Sequence, residues 1–361
     1  MKRNLTILAA AALLCIPAVA QTSQKLTAGK ANEYGLVYTL PVTALDIYFE
    51  AEISEDHPGE FHNYARRHLG IGDAVTADSR NADIKSVTIV PRGVADGAKR
   101  WLAQFKAGTT PFVMLSPDNI PLSFNTEEVL EVETPEIPEA KEAAPTPLET
   151  PAAAQAITAE MARSSSTSKR AELAAQRIFE LRETRSDILS GQADNPPADG
   201  QAMQLVLDNL SAQEAALTAM FAGTHSSRTE VRRVTVTPDS TGLAETTVAR
   251  LSAVDGIIDA DNLAGAPVTV TVKILEQGVL PVMENGVTKT FPKGGVAYAI
   301  PGRALVTVSY AGKKIAEQEV ALAQAGVVFG LDPKLFADKK APSKALFDPT
   351  TGALVEFGPA N

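Results

Sequence analysis

Cysteine is almost missing from this chain: its one copy, Cys15, sits within the first twenty residues. The remainder therefore has no disulfide framework, no thiolate nucleophile and no Cys-ligated metal. Aromatic residues are scarce at 5%, with a single Trp, which leaves little material for stacking platforms. Positive charge is in the minority, with 33 Lys and Arg against 43 Asp and Glu. Such a balance argues against nucleic acid or anionic lipid as a partner, since both require basic surface. Only one apolar run is long enough to weigh as a membrane segment, which excludes a multi-span membrane protein. What remains is ordinary. The 361 residues are 45% hydrophobic, enough for two or three domains with packed cores.

The one apolar run opens the chain. Lys2 and Arg3 precede an apolar stretch from Leu5 to Ile16, Pro17 breaks it, and Ala18-Val19-Ala20 offers a small-x-small cleavage pattern before Gln21. This reads as a signal peptide over residues 1–20, removed on export. Leu14 stands directly before Cys15, where a lipid-attachment site wants a small residue. The expectation is an exported protein, most readily periplasmic, with no integral span after cleavage and outer-membrane association open through a partner.

From 34 to 125 the chain reads as a β-rich unit. Leu36–Leu40, Leu45–Phe49 and Ile84–Val90 are rich in β-branched and aromatic residues. Trp101–Phe105 follows. Phe112–Leu115 and Ile120–Phe124 flank the turn Ser116-Pro117-Asp118-Asn119 as a hairpin. A short helix from Glu60 to Leu69 would turn Phe61, Ala65, His68 and Leu69 inward. Residues 126–155 then carry eight Glu against one Lys, with five Pro and no periodicity, and read as a disordered or extended acidic linker. Two helical patterns occupy 168–222. Ala171, Ala174, Ile178, Leu181 and Ile188 line one. Met203, Val206, Leu210, Leu217 and Met220 line the other. Gly191 ends the first, Asp194-Asn195-Pro196-Pro197 breaks the chain, and Asp199 caps the second. From 225 to 361 strands return, with tight turns at Asn285-Gly286 and Ala311-Gly312 and a turn at Asp348–Gly352.

One internal similarity suggests a duplicated β module. Gly35, Tyr38, Pro41, Ala44 and Leu45 align with Gly295, Tyr298, Pro301, Ala304 and Leu305. Each is a strand halted at a Pro, which cannot donate to a ladder, and resumed after it.

Several stretches resemble an exported Bacteroidetes family grouped under a domain-of-unknown-function label. They are Tyr34–Pro41, Arg177–Arg185 with Leu189–Gly191, Pro197–Gly200, Ala323–Val328 and Phe347–Leu354. The resemblance covers most of the mature chain, with the acidic linker as an insertion. It implies a Gram-negative envelope setting and carries over no activity and no catalytic residue.

No constellation of reactive groups stands out. His57, His62 and His68 lie beside Glu55, Asp56 and Glu60, but their spacings of five and six miss the i, i+4 geometry of a helical metal site. Asp255, Asp259, Asp261 and Asn262 lack the EF-hand register. There is no nucleophile elbow and no P-loop. Trp101, Tyr34, Tyr38, Tyr48 and Tyr64 are candidates for sugar stacking, with core packing the simpler role. Arg66-Arg67 and Arg232-Arg233 read as solvated faces. Asp239-Ser240-Thr241 fits a short O-glycosylation signal.

These observations predict an α+β protein in which two β-rich units, 34–125 and 225–361, join a long antiparallel helical hairpin. The functional expectation is a non-enzymatic structural or interaction module of the cell envelope, partnered by an envelope protein. The alternatives are a module binding glycan or another envelope polymer and, third, a hydrolase. No cofactor, metal or catalytic residue is assigned.

Overall fold

The computed structural model describes residues 33–106, 111–193, 200–338 and 341–360. The signal peptide with Cys15, the break at Asp194–Pro197 and the Asp199 cap lie outside the described residues. Strands β1 (Glu33–His57) and β2 (Ser79–Lys106) form a long antiparallel ribbon. Helix α1 (Ala65–Leu69) lies in the connection between them. The short pair β3 (Val113–Leu115) and β4 (Pro121–Phe124) follows. Four helices come next: α2 (Pro151–Ala156), α3 (Ala159–Arg163), α4 (Thr167–Ser190) and α5 (Gln201–Ala222). Then come β5 (Thr224–Val236), β6 (Gly242–Ser252), β7 (Gly256–Ile258) and β8 (Ala266–Glu276). The chain ends with β9 (Val296–Tyr310), β10 (Lys313–Leu331), β11 (Ser343–Phe347) and β12 (Leu354–Pro359).

The α+β expectation is overturned. The protein is mostly β and holds three antiparallel sheets, ordered β2-β1-β5, β10-β9-β8-β6-β7 and β12-β11-β4-β3. The two β-rich units do not stand apart, because β5 pairs with β1 and β11 pairs with β4. Nor do the helices form a long hairpin with an apolar seam running its length. α5 buries Ala216, Leu217, Ala219 and Phe221 near its end, whereas Leu205 is exposed and Met203, Val206 and Leu210 are only half-buried. The helices instead gather round one small core of Phe61, Met161, Ile178, Leu181, Leu217 and Phe221. Periodicity revealed helical segments but not how far along them burial extends.

The ribbon was expected as short separate strands, and the reason it is continuous lies in its phase. Before Pro41 the inward residues of β1 are Tyr38 and Leu40; after it they are Leu45, Ile47 and Phe49. The alternation slips by one residue at a register shift between Thr39 and Pro41. A bulge tolerates the missing Pro donor and turns the strand so that each half serves a different core. The first half packs with Phe124, Phe347 and the start of β9. The second half packs against Val268, Val270, Val306 and Val308 of the five-stranded sheet. Each such side chain, fully buried, contributes about 1.5–3 kcal/mol.

The repeat read from sequence has a structural counterpart. In the first hairpin, Thr39 pairs Arg100 and Pro41 pairs Ala95, so Leu40 faces four residues. In the second, Ile300 pairs Val327 and Gly302 pairs Leu322, so Pro301 faces four residues. The aromatic pairs also correspond: Tyr38 opposes Trp101, and Tyr298 opposes Phe329. The modules meet where the Tyr38 hydroxyl donates to the Ala297 carbonyl and accepts from the Ala297 amide.

The bulge of the second hairpin locks onto the first. The Gln324 amide accepts from Thr43 N at 2.9 Å and donates to Thr43 O and Pro238 O at 2.8 and 3.0 Å. Ala323 N donates to Thr43 Oγ1, which donates to Thr350 O. The Asp348–Gly352 turn closes the junction. It presses so near β2 that a Cβ on Gly93 would sit 2.0 Å from Pro349 O.

Candidate functional site

Three places carry enough chemistry to be weighed. The first is a polar cluster where β1, β2 and β5 end. His57 Nδ1 meets Asp78 at 2.7 Å and its Nε2 faces Glu55 at 3.7 Å. Carboxylates thus engage both ring nitrogens, and the hydrogen bond that the ring donates to Asp78 holds the imidazole above its ordinary pKa despite the opposing effect of desolvation. Asp56 accepts from Ser79 Oγ at 2.7 Å and meets His225 Nδ1 at 2.6 Å. Serine, aspartate and histidine are together here in the wrong order. A nucleophile needs the imidazole between hydroxyl and carboxylate, whereas here the carboxylate is in the middle, and the group is open to solvent.

The other His are elsewhere. His62 Nδ1 bonds Gly59 O at 2.8 Å, and His68 packs edge-on against Phe221. Of the Asp group, Asp259 is turned to Arg232, while Asp255 accepts from Ser252 at 3.4 Å. Among the described residues no group of three His, Cys, Asp or Glu is placed to hold a metal ion. The Arg232-Arg233 pair is not a merely solvated face. Arg232 donates to Ile257 O and Asp259, and Arg233 lies 3.7 Å from the buried Asp46. Ser240 is exposed in the tight turn between β5 and β6, where Asp239 accepts from Thr241.

The second place is an open cleft of about 730 Å³ between the edge strands β2 and β10. Val87, Ile89, Gln318 and Ala321 line it, and Leu130 to Pro135 of the acidic segment lie along it. That segment is extended rather than free. Glu128 meets Lys344 at 2.7 Å, and Lys141 exchanges two backbone hydrogen bonds with Thr229 on β5. Among the described residues no aromatic side chain lines the cleft.

The third place is the β8–β9 loop, residues 277–295. It folds on itself through Met283 N to Val287 O, Lys289 N to Pro281 O and the Asn285-Gly286 turn. Its large apolar side chains point outward: Val279 is 74% exposed, Val282 60% and Val287 52%. Leu280 and Met283 are exposed beside them. The exception is Phe291, which stacks on Trp101 with centroids 5.6 Å apart and meets Phe329 edge-on. The Trp101 face expected for sugar stacking is therefore covered. Tyr38 is buried, Tyr48 and Tyr64 are half-buried, and the Tyr34 side chain lies outside the described residues. Sequence reading missed Phe291 and its loop, since only the Asn-Gly turn signalled them.

Among the described residues no helix is long and apolar enough to cross a membrane. No curated protein and no solved structure matches the chain. A family model matches residues 34–355. It takes in the Pro41 and Pro301 bulges, the Gln324 lock and the Asp348–Gly352 turn, so the protein belongs to the family described as Domain of unknown function (DUF4831).

Proposed function

We propose that the protein is an exported, non-enzymatic module of the cell envelope that binds a protein partner through its β8–β9 loop. The observation that carries this reading is the concentration of exposed valine, leucine and methionine between Val279 and Val287. Contiguous exposed apolar surface costs solubility unless another molecule covers it. The loop is held mainly by its own hydrogen bonds, so it presents these side chains without drawing them into the fold. The export half of the proposal rests on the signal-peptide pattern of residues 1–20. The periplasmic part of the proposal rests on the same pattern, in which Leu14 stands before Cys15 where a lipid-attachment site wants a small residue.

The polar cluster favours no hydrolase, because its carboxylate separates serine from histidine. The cleft does not favour a sugar platform, because none of its described lining residues is aromatic.

A photo-cross-linking residue at Val282, expressed in the native host, tests the proposal. The expected result is a discrete adduct of one size that is missing when the same residue replaces Lys313, an exposed site at the start of β10. Identical patterns at the two positions, or no adduct at Val282, would contradict it.

A further inference from the structure

The contact between Phe291 and Trp101 differs from ordinary core packing. Phe291 stays 41% exposed although it stacks on one ring and touches another. The walls that receive it come from the two repeated hairpins: Trp101 from the first, Phe329 from the second, with Tyr298 edge-on behind Phe329. The floor is bare backbone. A Cβ on Gly330 would lie 2.8 Å from Phe291 Cζ, so glycine is what leaves room for a ring. Meanwhile the Trp101 indole N–H is buried and has no hydrogen-bond partner among the described residues. A buried donor without an acceptor is costly and rarely kept without a reason.

The loop that carries Phe291 is weakly tied. Its ends are fixed by Gly278 N to Ala325 O and by Gln104 N to Gly294 O. Between them, among the described residues, no hydrogen bond or ion pair joins residues 279–293 to the rest of the protein. Segments with so few anchors open at low free-energy cost.

We propose that Phe291 is a plug in a preformed slot, and that the slot accepts an aromatic side chain from the partner protein when the loop swings aside. A phenylalanine or tyrosine of the partner would replace the Phe291 ring between Trp101 and Phe329. A peptide carbonyl beside that side chain would supply the acceptor that the indole N–H lacks. The apolar residues at 279–287 then serve as the first contact, and their engagement draws the plug out. This inference rests on the reading of the loop as a docking element and adds the chemistry that the partner presents.

The single tryptophan makes the test direct, because all indole emission comes from the slot. Full-length mature protein and its F291A variant are titrated with N-acetyl-phenylalanine amide, N-acetyl-leucine amide and benzamide, following Trp101 emission. The variant is expected to show red-shifted emission and to bind the phenylalanine amide roughly tenfold more tightly than wild type, as for a site open about a tenth of the time. Benzamide should bind more weakly than the phenylalanine amide, and the leucine amide should not bind. The G330A variant should also shift emission but bind none of the three, since its methyl occupies the floor. F291L carries the same test if F291A does not fold. Equal binding to wild type and variant, no binding to either, or binding of the leucine amide would each overturn the slot. A persisting Val282 adduct alongside such a failure removes only the slot. A working slot without that adduct removes the docking reading instead.

Discussion

Gln324 holds three backbone groups by one side-chain amide: the amide and carbonyl of Thr43 and the carbonyl of Pro238. Replacing it with alanine strands these groups inside the junction of the two hairpins. Q324A is expected to lose about 2–4 kcal/mol, the penalty for buried polar groups left unpaired, read from urea unfolding. Asp46 makes a parallel case in electrostatics. Burial alone would raise its carboxyl, yet hydrogen bonds from Thr235 and Arg92 outweigh burial and hold it below the ordinary carboxylate range. A depressed folded pKa contributes stability above the unfolded value, near pH 4, and that contribution is lost as pH falls through the folded value. D46N is expected to be less stable than wild type at pH 7 and nearly equal to it at the lowest pH where both fold. A gap that stays constant with pH would contradict the assignment. His57 has the opposite sign. Its raised pKa stabilises the fold below about pH 6.5, and the effect fades as pH rises through the raised value. D78N should return the His57 titration, followed by NMR, toward its ordinary midpoint. None of these roles is visible in the sequence, because Thr43 and Gln324 are 281 residues apart and Asp46 finds Thr235 across a sheet.

At the scale of elements, the legible features were those with local causes. The Pro41 and Pro301 interruptions, the Ala311-Gly312 turn and the Ser116–Asn119 hairpin turn follow from residues that restrict or free their own backbone. The bulges opposite Leu40 and Pro301 did not show, since a bulge is defined by the partner strand. The acidic segment illustrates another gap. Its composition marks a stretch poor in core residues, and from 126 to 150 none of its side chains is buried, but composition says nothing of the backbone exchange between Lys141 and Thr229. Helix α2 likewise begins at Pro151, inside the segment read as linker, because Ala152 and Ala156 are small enough to pack into the helical core. The Asp348–Gly352 turn is expected to tolerate no added bulk on β2. G93A forces a methyl onto Pro349 O and should destabilise the fold by about 1–3 kcal/mol, the usual cost of overpacking. Thermal unfolding checks it, and an unchanged midpoint would show that the turn can move away.

For the molecule as a whole, order along the chain misleads. Early and late strands share sheets, so the β-rich beginning of the chain has neither its β5 neighbour nor β11 and β12 when isolated. Residues 21–125 alone are expected to show no cooperative unfolding and a collapsed NMR spectrum; a dispersed spectrum would contradict the interlocked architecture. Against that interlock the β8–β9 loop stands out, because it keeps its apolar side chains outside the three cores. Under the proposed function these side chains are held out for another molecule and not for folding. The most direct measurement is the unfolding free energy of the V279S/V282S/V287S variant. The expected change is within about 0.5 kcal/mol, the range of exposed substitutions. A loss of about 3 kcal/mol or more would place the valines inside the fold's own packing and contradict it.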